Sequence, residues 1–182
     1  MQKKIKLLFL LLCIAVSARA QHNLSLNKSG SASNNAANNF YAFDCALATS
    51  WGAGDYAPQW ISIDLGSVST VDSIVFVPET TPSGKAAIDV YSSINGSTWT
   101  LVDNFNSFLV TLQPYTRYYT LSNIRYLKFE TTSSPSWIAW WDISVFGNNT
   151  TFYNVPVDTT FIIKTICAGQ SYLGYTTAGN YS

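Results

Sequence analysis

Few residues of this chain could support catalysis. The single histidine, His22, lies near the N-terminus, so Ser-His-Asp and Cys-His arrangements would have no base in the folded body. The sequence contains no cluster of His and Cys for zinc. A carboxylate pair for glycoside hydrolysis remains open, because Asp55, Glu79 and Asp142 could approach one another in a fold. These residues favour a non-catalytic function.

A short segment, FDCALATSW (residues 43–51), combines a carboxylate, a hydroxyl and an indole. On the residues alone, Asp44 is expected to bond to the backbone of its own loop as an Asx turn, and Thr49 to do likewise. Trp51, Trp60 and Trp99 precede or begin apolar strand patterns, and we expect all three to be buried in the core.

The elements that must position these residues are predicted to be β-strands. From Trp60 onward, apolar and polar residues alternate at period two in runs such as WISIDL, VDSIVFV, AIDVYSS and DISVFG, separated by clusters of Gly, Pro, Asn and Ser. This pattern predicts an all-β sandwich or barrel. Asn95-Gly96 lies between two such runs and predicts a hairpin between adjacent antiparallel strands.

The first twenty residues have the pattern of a secretory signal peptide. Lysines precede an apolar run at residues 7–16, and the segment closes on Ala18-Arg19-Ala20, so cleavage after Ala20 is expected. The apolar run is shorter than the roughly 20 residues that span a bilayer. The sequence therefore predicts a secreted or cell-surface protein.

The mature chain is predicted to be acidic. Residues 1–20 hold four of the ten Lys and Arg residues and none of the ten Asp and Glu residues, which leaves six basic against ten acidic residues, a net charge of −4. Without a basic cluster, nucleic acid is not an expected partner. Because charged residues make up only 11% and aromatic residues 15%, the surface is typical of an extracellular binding or adhesion module.

Three segments follow the signal peptide. Residues 21–147 are predicted to form the sandwich, 148–160 an Asn- and Thr-rich linker, and 161–182 the start of a further module that is too short for a core of its own. A disulfide between Cys45 and Cys167 is left open. Cys45 itself is interpreted as a small, semi-buried hydrophobic residue.

Six segments carry, in order, a resemblance to a known family: NLSLNKSGSAS, YAFDCALATSW, QWISIDLG, VYSSINGSTWTLV, IRYLKFE and WDISVFG. Together they resemble the coagulation factor 5/8 type C, or discoidin, domain, whose bacterial members include the family 32 carbohydrate-binding modules. The resemblance covers about 125 residues. It implies an eight-stranded jelly-roll β-sandwich of the galactose-binding-domain-like type. The trailing segment is similar to short Cys-Gly-Tyr modules of large secreted Bacteroidetes proteins, which implies a multi-module surface protein.

The resemblance also implies a structural cation, usually calcium, near one end of the sandwich. Calcium takes 6 to 8 oxygen ligands at about 2.3–2.6 Å and accepts carboxylates, hydroxyls and carbonyls together. The chain has Cys45 where the family usually has glycine, and Asp142 where glutamate is usual. The implied ligands are the side chains of Asp44, Thr49 and Asp142 and the carbonyls of Tyr41, Ala46 and Trp141.

In the family, ligands bind at loops close to the cation. The corresponding segments are residues 52–58, 78–85 and 133–141, here called the first, second and third ligand loops. An exposed aromatic ring can stack on the C–H face of a sugar while polar groups bond its hydroxyls. Trp137 and Tyr56 are the candidate stacking rings, with Trp140 as a further candidate contact. The candidate hydrogen-bonding residues are Asp55, Glu79 and Lys85.

The tryptophans of the third loop have a structural alternative, which is to close the end of the barrel. Strand alternation sends Trp140 and Trp141 to opposite faces, so at least one is expected in the core.

Two functions are therefore open. The first is a non-catalytic carbohydrate-binding module with a structural calcium ion, and its partner is a glycan or polysaccharide. The alternative is a cell-surface adhesion module that binds protein or lipid. The lack of Lys or Arg beside Trp137 and Trp140 argues against anionic headgroups, so membrane insertion is not expected.

Overall fold

The computed structural model describes residues 21–149, together with the backbone of residues 164–166 and 179–181. The predicted signal peptide and most of the predicted linker and trailing segment lie outside these residues. No helix in the described part is long and apolar enough to cross a bilayer.

More than half of the described residues form antiparallel strands. A 3₁₀ helix at Ala36–Phe43 precedes the longer strands. The strands are β1 His22–Asn23, β2 Trp51–Gly52, β3 Gln59–Pro78, β4 Gly84–Ser93, β5 Thr100–Leu109, β6 Tyr115–Ser133, β7 Ala139–Asn149, β8 Lys164–Ile166 and β9 Gly179–Tyr181. β8 and β9 pair with each other in a separate sheet.

The two longest strands, β3 and β6, take part in both layers of the fold. The first half of β3 pairs with the second half of β6, which also pairs with β4, and β4 pairs with β5. The second half of β3 pairs with the first half of β6 and with β7, and β7 also pairs with β1 and β2. Register shifts between Asp64 and Ser73 mark the change from one layer to the other. The predicted all-β sandwich is confirmed.

Aromatic side chains join the two layers. The Phe76 ring of β3 lies 5.4 Å from the rings of Phe105 and Phe129, and 5.7 Å from Trp140. Phe105 and Phe129 come from the β4–β5 layer, whereas Phe76 and Trp140 belong to the β7 layer. The hydrophobic core therefore lies between the layers and includes residues from all the long strands.

Of the three tryptophans predicted to be core residues, only Trp51 is fully buried. For Trp60 and Trp99, which are partly exposed, the prediction is wrong. Ile61 takes the inward position next to Trp60, because neighbouring residues of a strand face opposite sides. Trp99 lies outside the core near Lys128, whose Nζ is 5.7 Å from the indole centroid.

The Asn95-Gly96 hairpin is confirmed, because β4 and β5 are adjacent and antiparallel. Gly96 has a φ of 72°, and the Asn95 side chain accepts hydrogen bonds from the backbone N–H groups of Ser97 and Thr98, both at 2.9 Å. Asn and Gly are favoured in such turns for these two reasons.

The first and last strands of the domain, β1 and β7, lie side by side. In β1, His22 pairs with Gly147 of β7 and Asn23 with Phe146. β7 continues to Asn149, so it includes the first two residues of the predicted linker. Gly147 allows a close approach to β3, because a Cβ atom there would lie 1.9 Å from the carbonyl oxygen of Thr70.

Candidate functional site

The three predicted ligand loops meet at one end of the sandwich. The N–H of Ala53 donates to the carbonyl of Ile138 at 2.8 Å, and the N–H of Ile138 donates to the carbonyl of Asp55 at 3.0 Å. The N–H of Glu79 donates to the carbonyl of Ala139 at 3.1 Å. Backbone hydrogen bonds thus fix both the first and the second loop to the third.

A surface cavity of about 530 Å³ lies between these loops. Its volume is in the range typical of small-molecule sites. It is lined by Ser50, Gly52, Gly54, Tyr56, Glu79, Thr81, Ser136, Trp137, Ile138 and Ala139.

The two candidate stacking rings stand together at this cavity. Tyr56 is 57% exposed and Trp137 is 56% exposed, although large aromatic side chains are usually mostly buried. Their ring centroids are 6.2 Å apart and the ring planes are perpendicular, at 88°. The arrangement presents two aromatic surfaces of different orientation to one ligand.

Side-chain hydroxyls brace the second and third loops. Ser136 Oγ donates to the carbonyl of Thr81 at 3.0 Å and accepts from its N–H at 3.3 Å. In the same way, Thr111 Oγ1 accepts from the N–H of Thr80 at 2.9 Å and donates to its carbonyl. The Ser136 bonds thus join the second loop to the residue before Trp137, and the Thr111 bonds fix the second loop from its other side.

Of the three predicted hydrogen-bonding residues, only Glu79 lies at the cavity. Glu79 lines the cavity. Asp55 is exposed, does not line the cavity, and accepts a hydrogen bond on Oδ1 from the N–H of Tyr56 at 2.7 Å. Lys85 is exposed on β4 and also does not line the cavity.

Trp140 is not a ligand contact. It is only 2% exposed and packs against Phe76, so this prediction is wrong. Trp141 is partly exposed and points the other way, as strand alternation predicts. The reason is that β7 already begins at Ala139, so the last residues of the third loop follow the two-residue period of a strand.

Sequence reasoning did not select three polar residues of the cavity. Thr81 and Ser136 lie within the predicted loops, and Ser50 lies outside them. Small uncharged polar residues are abundant in this chain, so nothing in the sequence distinguishes these three.

The Asp44 loop forms a compact set of oxygen atoms. Asp44 Oδ1 accepts from the N–H of Ala46 at 2.9 Å, which confirms the Asx turn expected from the residues. Thr49 Oγ1 donates to Asp44 Oδ2 at 2.6 Å and lies 3.4 Å from the carbonyl oxygen of Ala46. Three of the implied cation ligands are therefore neighbours in space.

Asp142 lies beside this loop, although it is far from it in sequence. It is 1% exposed, and its Oδ2 accepts from Ser144 Oγ at 2.6 Å. The pKa of Asp142 is raised to about 7, chiefly by burial and also by the nearby charge of Asp44, while hydrogen bonds from Ser144 and from the Cys45 N–H act in the opposite direction.

The donor set fits a hard cation. Within residues 21–149, the three ion pairs join Arg117 to Asp103, Arg125 to Asp64 and Lys128 to Glu130, and none involves Asp44 or Asp142. A buried carboxylate beside a second carboxylate lacks a counter-charge, which an ion bound by oxygen ligands would supply.

The remaining ligands of such an ion would have to be neutral oxygens. No group of three or more His, Cys, Asp and Glu side chains suited to a metal occurs in the described residues. The carbonyls of Tyr41 and Trp141 stay predicted ligands. The side chain of Trp141 packs beside Val75, Val77 and Phe146.

Cys45 is disulfide-bonded, so its interpretation as a small hydrophobic residue with a free thiol is wrong. The other two cysteines of the chain, Cys13 and Cys167, both lie outside the described residues. Cys45 has a φ of 62°, a conformation that favours glycine, which is the residue usual here in the family it resembles.

A two-layer β-sandwich with a loop-built cavity at one end defines a discoidin-like binding domain. The F5/8 type C domain model matches residues 25–146. The chain belongs to the F5/8 type C domain family. None of the curated proteins matches it.

Solved structures with this fold include carbohydrate-binding modules. Chitosan-binding module 1 from the chitosanase/glucanase of Paenibacillus sp. IK-5 is 28% identical, with a TM-score of 0.57 over 69% of this chain and 99% of that one. Module 2 of the same enzyme, in complex with chitotriose, is 26% identical, with a TM-score of 0.58 over 69% of this chain and 100% of that one. The CBM32 of AlyQ, in complex with 4,5-unsaturated mannuronic acid, is 22% identical, with a TM-score of 0.56 over 65% and 97%.

Proposed function

We propose that residues 21–149 form a non-catalytic carbohydrate-binding module of a secreted or cell-surface protein. The observation that carries this proposal is the pair of exposed rings, Tyr56 and Trp137, at a cavity built from three braced loops. The similarity to two chitosan-binding modules, one of them solved in complex with chitotriose, supports it.

The cavity offers the two kinds of contact that a sugar needs. The C–H face of a pyranose ring would stack on Trp137, with Tyr56 at its edge. Hydroxyl groups of the sugar would bond to Glu79, Thr81, Ser136 and Ser50, which line the same cavity. Because the loops are already braced, little conformational entropy is lost when the sugar binds.

Glu79 is the one carboxylate among the described residues that line the cavity. Asp142 is buried beside Asp44 and does not line the cavity, so Glu79 has no opposing carboxylate among the described lining residues. This supports binding without hydrolysis.

We also propose that calcium is held by Asp44, Thr49, Asp142 and the carbonyl of Ala46, with Tyr41 and Trp141 contributing carbonyls. Calcium would neutralise two neighbouring carboxylates and tie the Asp44 loop to β7. Ser50 and Trp51 follow Thr49 directly, and Ser50 lines the cavity, so the ion would also order the edge of the sugar site.

The test is glycan binding by single-ring variants. Wild type, Trp137→Ala and Tyr56→Ala are compared on a glycan array and then by calorimetry with the glycan that binds best. Loss of a stacked ring removes about 1.5–3 kcal/mol of apolar burial, so affinity should fall at least about tenfold. Tyr118→Ala is the matched control, because Tyr118 is 83% exposed on β6 and does not line the cavity.

Thermal unfolding is measured in parallel, and each variant should melt close to wild type because its ring is exposed. If both ring variants bind the glycan as tightly as wild type, or if no glycan binds at all, the proposal is wrong.

A further inference from the structure

The charge in the described cavity lining is negative and comes from Glu79. Among the described residues that line the cavity, Glu79 is the only ionisable side chain apart from the Tyr56 phenol, and none is Lys or Arg. Asp55, one residue before Tyr56, is a second exposed carboxylate, although it does not line the cavity. A sugar bound here therefore faces negative charge.

The Glu79 carboxylate is available to a ligand. The three ion pairs in the described part of the chain use other residues, and no hydrogen bond or ion pair from a side chain to the Glu79 carboxylate occurs there. Its backbone is fixed by the hydrogen bond from Glu79 N–H to Ala139, so the side chain starts from a defined position.

We propose that this site selects sugars with a free amino group, of the glucosamine class, and rejects uronic acids. The inference rests on the proposed function and names the ligand class of that same site. A protonated sugar amine can form a charge-assisted hydrogen bond to Glu79 while the ring stacks on Trp137. Such bonds are about twice as strong as those between neutral groups.

A uronic acid carries a negative charge and would be repelled by Glu79. Its carboxylate would approach the Glu79 carboxylate with no Lys or Arg among the described lining residues to compensate, and partly desolvated like charges repel one another. An N-acetylated sugar keeps the stacking surface but loses the charge, so it should rank between the other two. The order of affinity is therefore amine, then N-acetyl, then uronate.

The experiment is calorimetry on the full chain with three probes of equal length: glucosamine trimer, N-acetylglucosamine trimer and mannuronate trimer. In low-salt buffer with calcium, the amine trimer should bind about tenfold more tightly than the N-acetylated trimer. The mannuronate trimer should show no measurable binding. Raising the salt concentration should weaken the amine trimer selectively.

Glu79→Gln removes the charge and keeps the shape of the side chain. It should lower the affinity for the amine trimer about tenfold more than the affinity for the N-acetylated trimer, because only the amine trimer carries a charge that Glu79 pairs with. Asp72→Asn makes the same charge change outside the cavity, where Asp72 accepts a hydrogen bond from Gln21, and should alter neither affinity.

The inference is overturned if Glu79→Gln leaves the ratio between the amine and N-acetylated trimers unchanged, or if mannuronate binds as well as the amine. When another glycan on the array binds through Trp137 and the amine trimer does not, the amine preference is wrong and the carbohydrate-binding proposal stands. When no glycan binds, both are wrong.

Discussion

At the scale of single residues, Asp44 and Asp142 define the most unusual chemistry of the domain. Asp142 is almost fully buried, and its pKa is raised to about 7 by burial and by Asp44. A buried carboxylate beside a second, partly exposed one costs free energy unless a proton or a cation compensates it. The proposed calcium ion would relieve this cost.

Calcium should therefore stabilise the domain, and chelation should reverse the effect. At a calcium concentration 100 times the Kd, linkage contributes about 2.7 kcal/mol, which corresponds to a rise in Tm of about 10 °C for a domain of this size. The measurement is thermal unfolding by circular dichroism with calcium and with a chelator.

Asp44→Asn and Asp142→Asn should abolish this calcium-dependent shift, because each removes one carboxylate ligand. Asp72→Asn serves as a control and should keep the shift, because Asp72 lies on β3 and bonds to Gln21. An equal response of wild type and both ligand variants to calcium would contradict the proposed ion site.

Residues of the same type proved hard to separate from sequence. Trp137 and Trp140 occur in one tryptophan-rich segment, and only the start of β7 at Ala139 decides that the first is exposed and the second buried. Trp60 and Ile61 are neighbours on a strand and face opposite sides. The alternating pattern alone does not show which of the two sides faces the core. The proximity of Asp44 to Asp142 was implied by the family resemblance, because nothing in their own segments links them.

At the scale of elements, the strands were the most predictable part of the fold. The alternating runs that begin at Trp60 correspond to β3 through β7, because the pleat imposes the same period on any half-buried strand. The sequence could not show that β3 and β6 each extend through two layers, since the bends are register shifts in strand pairing rather than residue patterns.

The braced loops are a second feature at this scale, and Ser136 tests their role. Ser136→Ala removes both hydrogen bonds to Thr81 and frees the backbone beside Trp137. We expect sugar affinity to fall about three- to tenfold while Tm falls by only a few degrees, since each bond contributes about 0.5–1.5 kcal/mol. Ser136→Thr keeps the hydroxyl and should restore affinity.

A double variant separates positioning from direct contact. If Ser136 acts by positioning Trp137, the losses in Ser136→Ala/Trp137→Ala should be smaller than the sum of the single losses. Ser133→Ala is the matched control, because Ser133 is exposed in the same loop. Additive losses would show that Ser136 acts independently of Trp137.

At the scale of the whole molecule, β3 and β6 make the two layers one cooperative unit. Because each long strand pairs within both layers, neither layer can separate without breaking the other. The central contact is Phe76, which touches aromatic rings from both layers.

Phe76→Ala should therefore destabilise the entire sandwich. Truncation of a buried phenylalanine costs about 3–5 kcal/mol, so Tm should fall by about 10 °C or more. Tryptophan fluorescence and far-ultraviolet circular dichroism should report the same single transition for both wild type and variant. Phe108→Ala, at an exposed position of β5, is the control and should melt close to wild type. Two separate transitions would contradict this view of the fold.

The pairing of His22 with Gly147 places the start and finish of the domain together, and β7 runs from there to the cavity. With a rise of about 3.4 Å per residue, the segment from Trp140 to Asn149 measures about 30 Å. A segment joined to either end of the domain is thus attached at the end of β7 that is far from the cavity. A tether at either end of the domain would therefore leave the cavity accessible to its ligand, even under tension.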